Sequence, residues 1–116
     1  MLDCDGLLSL LDAAHRNHFV IANNLANVNT PGYRTRRVRF ARELDRVLDE
    51  SMRLRDGREG RTEIYRPMFR DAGGDGNDVV LEREIGQLNK NAIRMRLYLG
   101  VLHARIRRLR TAIEGR

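Results

Sequence analysis

Few residues in this 116-residue chain have a claim to catalytic or metal chemistry. Cys4 is the single cysteine, so an intramolecular disulfide is impossible. As a nucleophile it would need a base held beside it and a third group to orient that base. His15 and His18 stand within helical reach, but no such arrangement is evident. The same two histidines are spaced i, i+3 and could hold a metal weakly; no third ligand accompanies them. His103 stands alone on a helical segment. The residue types therefore predict no catalytic residue, no metal, no cofactor and no enzyme.

Charge suggests another chemistry. Lysine and arginine number 22 against 16 acids, giving a net charge of +6, and every basic residue except Lys90 is arginine. A basic coiled-coil module that binds nucleic acid through Arg105 to Arg110 is one reading. Against it, the acids are interspersed with the arginines, and no aromatic interleaving or known nucleic-acid-binding motif is present. No nucleic-acid partner is expected. With no tryptophan, three phenylalanines and three tyrosines, the chain offers little for a large enclosed pocket. No apolar run approaches the roughly 20 residues of a membrane span. The first residues carry acids where a cleaved leader carries Lys or Arg. The expectation is a chain that does not span a membrane and is either cytoplasmic or exported without leader cleavage.

Such a chain must work through its elements, and two of these have helical period. In residues 5–28 the apolar positions Leu7, Leu11, Ala14, Ile21, Leu25 and Val28 alternate steps of four and three, with His18 in the one polar slot. In residues 78–116 the rhythm is unbroken through Leu81, Ile85, Leu88, Ala92, Met95, Leu99, Leu102, Ile106, Leu109 and Ile113, predicting a long helix with a coiled-coil seam. Asp78 suits its N-cap, and Glu82 and Glu84 suit its positive end. Between the helices the pattern fails. Residues 34–40 alternate enough for a short extended stretch, residues 41–54 could form a weak helix, and residues 56–77 read as a mobile loop anchored by Ile64, Tyr65, Met68 and Phe69. The expected organisation is one mainly α unit in three parts. These are an N-terminal helix and turn over 1–32, an irregular or extended middle over 33–77, and a coiled-coil helix over 78–116 that pairs antiparallel with the first. The second seam exceeds the first by up to about two heptads, so apolar surface should remain for other subunits.

The junction after the first helix is the most distinctive stretch. Ala22, Asn23, Asn24, Leu25, Ala26, Asn27, Asn29, Thr30, Pro31, Gly32 and Tyr33 place four asparagines at a helix end, though Asn is a poor interior helix residue. A capped turn explains Asn29 to Gly32, since Pro presets φ and Gly accepts positive φ. It does not explain Asn23, Asn24 and Asn27 on the helix itself. The run Ala-Asn-Asn-Leu-Ala-Asn-Val-Asn-Thr-Pro-Gly-Tyr resembles the N-terminal signature shared by the flagellar rod and hook axial proteins. Phe40 shortly after the turn, the entry Asp75 to Ile85 and the ending Leu109 to Arg116 resemble a short proximal rod branch of that family. Another short proximal rod protein shares the Asn-rich turn, but the C-terminal ending argues against it. The resemblance covers both ends of the chain; the middle over 41–74 matches nothing. It implies a structural rod subunit that transmits torque and associates with other copies and other rod proteins. It also implies a position in the periplasm by the junction of the membrane ring and export gate, reached through the flagellar type III export apparatus.

Overall fold

The computed structural model describes residues 4–40, 44, 49, 63–68 and 74–115. Four elements follow in order: helix α1 (Cys4–Ala26), strand β1 (Arg37–Val38), strand β2 (Ile64–Tyr65) and helix α2 (Leu81–Glu114). The fold is mainly α. The two helices pack antiparallel as a coiled-coil-like pair, and the strands form a small antiparallel ribbon in the middle of the chain. The direction is fixed by two contacts: Asn17 meets Asn91, and Asn24 meets Glu84.

The buried line of α1 is Leu7, Leu10, Ala13, Ala14, Asn17, Ile21 and Asn24. It shares Leu7, Ala14 and Ile21 with the apolar pattern, but its other positions lie one residue earlier than expected. His18 is exposed, and Leu11 and Leu25 are only half-buried. An apolar template cannot choose this line because two of its members are amides. On α2 the fully buried residues are likewise polar, Glu84 and Asn91. The heptad positions of α2 therefore divide. Leu88, Met95 and Leu102 are half-buried on the side of α1, whereas Leu81, Ile85, Ala92, Leu99, Ile106, Leu109 and Ile113 are exposed.

Helix α2 has 34 residues against 23 in α1. In the observed register Cys4 stands level with about residue 104, so the last ten residues of α2 run on beyond α1, roughly 15 Å at 1.5 Å per residue. An open groove of about 380 Å³ lies along this extension, lined by Ile106, Leu109, Arg110, Ile113 and Glu114. The helix ends on Gly115, whose positive φ of 67° lets its N–H reach the Thr111 carbonyl at 2.9 Å. At the other end, Asp78 is not the N-cap. Val80 occupies that position without a side-chain cap, and Asp78 is engaged elsewhere.

The middle ribbon pairs Arg37 with Tyr65 and Val38 with Ile64. So the extended stretch around residue 38 is present, and part of the expected loop supplies its partner strand. Arg39 reinforces the pair with an ion pair to Glu63 and by lying 4.2 Å over the Tyr65 ring. Arg94 of α2 stacks on Phe40 at the same distance, which ties the ribbon to the helix pair. The expected weak helix over 41–54 falls outside the described residues except at Leu44 and Asp49.

Candidate functional site

At the end of α1 the chain must satisfy carbonyls that the helix leaves without partners. Asn27 begins this by donating from Nδ2 to the Asn23 carbonyl at 2.7 Å, and Thr30 Oγ1 donates to Asn27 Oδ1. Asn77, fifty residues on, completes it. Its Nδ2 faces the Asn27, Val28 and Thr30 carbonyls at 2.8, 3.0 and 2.7 Å. Its own Oδ1 accepts from the Val79 N–H. A residue four positions before the second helix therefore caps the first.

The turn that follows has the geometry its residues dictate. Tyr33 N–H donates to the Thr30 carbonyl, and Gly32 at the third position has φ of 75°. That is the type II arrangement with Pro31 at its second position. Gly32 N–H then donates to the Asp75 carbonyl at 2.9 Å, and Asp78 N–H to the Tyr33 carbonyl at 3.3 Å. Asp78 Oδ1 accepts from the Thr35 N–H and hydroxyl, at 2.6 and 2.8 Å, and Oδ2 lies 3.6 Å from Arg34. Burial acts to raise the Asp78 pKa, but the Thr35 hydrogen bonds and the Arg34 charge outweigh it and hold the carboxyl below its ordinary value.

Asn24 is the hub of the junction and is fully buried. Its Nδ2 donates to the Arg36 carbonyl and to Glu84 Oε2; its Oδ1 accepts from the Tyr33 hydroxyl and the Arg36 N–H. All four hydrogen-bonding positions of the amide are thus filled. Glu84 is also gripped by Arg37 in a two-pronged pair, Nη1 to Oε2 at 2.9 Å and Nη2 to Oε1. One heptad along, Asn17 Nδ2 donates to Asn91 Oδ1 at 2.9 Å, and Asn91 Nδ2 donates to the Ala14 carbonyl. Among the described residues there is no group of three or more metal-ligating side chains.

A family model described as "Flagella basal body rod protein" matches residues 11–34, which contain most of α1 and the whole Asn-rich turn. The chain is 31% identical over 124 residues to the flagellar basal body rod protein FlgB of Bacillus subtilis, covering 94% of this chain and 91% of the relative. The chain belongs to the FlgB family of flagellar basal body rod proteins. The FlgB of Aeromonas hydrophila is 25% identical over 107 residues, covering 83% of this chain and 80% of the relative. That of Cereibacter sphaeroides is 31% identical, covering 83% and 81%.

The residues of the FlgB-like signature part company in the structure. Asn24 turns inward, and Leu25, Asn27 and Tyr33 are half-buried around it. Ala22, Asn23, Ala26, Asn29, Thr30, Pro31 and Gly32 form an exposed outer edge. Sequence reasoning missed the partners of this junction: Thr35, Arg37, Asn77, Asp78, Glu84, and, one heptad along, Asn17 and Asn91. One signal was available. Asn17 and Asn24 are seven residues apart, as are Glu84 and Asn91, so each helix repeats a polar residue at heptad spacing within an otherwise apolar line.

Proposed function

We propose that this chain is a structural subunit of the rod of the bacterial flagellar basal body, which self-associates and joins other rod proteins through helix seams. The observation that carries this reading is the uncovered apolar stripe of α2. Leu81, Ile85, Leu99, Ile106, Leu109 and Ile113 are between 42% and 83% exposed on a helix that α1 covers on one side only. A stripe of that length is stable in water only when neighbours cover it. The exposed edge of the Asn-rich turn fits the same role. Ala22 and Ala26 bring no bulk, so a neighbour's backbone can approach closely, and Asn23 and Asn29 offer it hydrogen bonds.

In this reading the rod lies in the periplasm, and the subunit sits near its base, where ring and export gate meet. No described helix is long and apolar enough to cross a membrane. The subunit reaches its place through the flagellar type III export apparatus without leader cleavage, and packed helices carry torque along the rod to drive swimming. No catalytic step or cofactor enters this role. Deleting the gene should abolish swimming and leave cells without complete basal bodies, and the wild-type gene should restore both. Normal motility in the deletion strain, or intact rods that lack the chain, would sink the proposal.

A further inference from the structure

Two stripes of α2 compete for α1. The more apolar runs through Leu81, Ile85, Ala92, Leu99 and Ile106, and it is exposed. The one that α1 covers has Glu84 and Asn91 at its centre, both buried. Apolar burial alone favours the first stripe. The backbone clasp between the two turns does not explain the choice. It ends at Val79, before α2 begins, so it holds the helix ends together without dictating which side of α2 meets α1.

The match lies in the polar residues. The buried line of α1 carries Asn17 and Asn24, and each finds one partner on the covered stripe, Asn91 and Glu84. Turned onto the exposed stripe, Asn17 would face Ala92, which has no side-chain donor or acceptor, and would be buried unpaired, while Asn24 would exchange Glu84 for Ile85 and keep only its bonds to Tyr33 and Arg36. We propose that the two rungs, Asn17 with Asn91 and Asn24 with Glu84, form a pairing code. They direct α1 to one stripe of its own α2 and thereby keep the more apolar stripe open for a neighbouring subunit. Only the identity of that neighbour rests on the proposed rod role. The pairing itself is a property of the single chain.

The test uses the full chain with Cys4→Ser and one reporter cysteine at the exposed position Ala92, in buffer containing trimethylamine N-oxide to favour the folded state. The rate of labelling by a water-soluble maleimide reads coverage of the open stripe, and circular dichroism reads helix content. In the rung-free variant Asn17→Leu/Asn24→Leu, α1 should move to the apolar stripe and slow labelling by about tenfold with helicity retained. An unchanged rate with helicity retained overturns the proposal. So does a slowing that vanishes on dilution, because a second copy would then be the cover. If that variant loses its helices, Asn17→Leu/Asn91→Leu decides, since it removes one rung from both sides and leaves the Asn24 junction whole. Here both stripes should be populated and labelling should show a fast and a slow phase. A single fast phase, or loss of helicity in this variant too, overturns the proposal. A deletion strain that still swims would remove the rod role and leave the labelling result standing.

Discussion

At the scale of single residues the junction depends on charges and amides that are buried and paired, except that Asp78 Oδ2 faces Arg34 at 3.6 Å without a hydrogen bond. Removing one partner costs more than the bond is worth, because the other is left desolvated. Arg37→Met leaves the Glu84 carboxylate buried without its counter-ion and should destabilise the helix pair by about 3–5 kcal/mol. Adding Glu84→Gln should recover much of that loss. Thermal melts of the wild-type, single-variant and double-variant chains in trimethylamine N-oxide, which favours the folded state, followed by circular dichroism would measure it, and equal melts for all three would refute it. Asp78 makes a pH-dependent contribution. Its folded carboxyl titrates below its unfolded counterpart, so ionised Asp78 adds stability that is complete above the ordinary carboxylate pKa of about 3.9 and is lost as pH falls through the depressed folded value. Asp78→Asn should flatten this part of the acid limb of a melting-temperature profile. An acid shortly before a helix fits a cap, so the local sequence points Asp78 to that position. Its true partner Thr35 is 43 residues away, and no local pattern reports such a distance.

At the scale of elements, the helices and the turn between α1 and β1 were legible, while the facing of the helices was not. Apolar repeats locate a helix well, but they identify its packed side only when the packed side is apolar. Here Asn17, Asn24, Glu84 and Asn91 occupy the packed lines, so the apolar pattern pointed to a stripe that lies partly outside the contact. The turn was readable because Pro31 and Gly32 leave few backbone choices. Gly32→Val forces a β-branched residue to a φ of 75°, at a cost of about 1–3 kcal/mol. A Cβ there meets nothing within 4 Å, so the whole penalty is conformational. Gly32→Asn, which tolerates that region, should therefore be nearly silent where Val impairs motility with export of the subunit intact. Equal swimming by the two strains would show the turn to be incidental. On the open stripe, Leu99→Asp should leave the helix content of the isolated chain unchanged, because Leu99 is already 42% exposed. It should still abolish assembly, since burying an unpaired carboxylate against a neighbour costs several kcal/mol. Motile flagella built with this variant would place Leu99 outside any packed interface.

At the scale of the whole molecule, the structure is a slender body of 64 × 32 × 16 Å. Its buried apolar side chains among the described residues are Leu7, Leu10, Ala13, Ala14, Ile21 and Val38. So small a core cannot hold a long helix pair firmly against chain entropy. The purified chain should be weakly helical at micromolar concentration and should gain helix as concentration rises. Strong helicity that does not depend on concentration, with a cooperative melt, would show that neighbours are not needed. The hydrogen-bonded neck where Asn77, Asp75 and Asp78 meet the Asn27–Thr35 turn has a different consequence. The backbone leaves the helix pair and returns to it at one closed point, so whatever lies between Val38 and Ile64 is grafted on a stem that does not depend on its length. Chain-closure entropy changes only slowly with loop size, so deleting residues 58–61 should leave swimming unaffected. The same neck makes this interval a place where related lineages can lengthen, shorten or replace sequence, or an experimenter can insert a tag, while the two helices keep their grip.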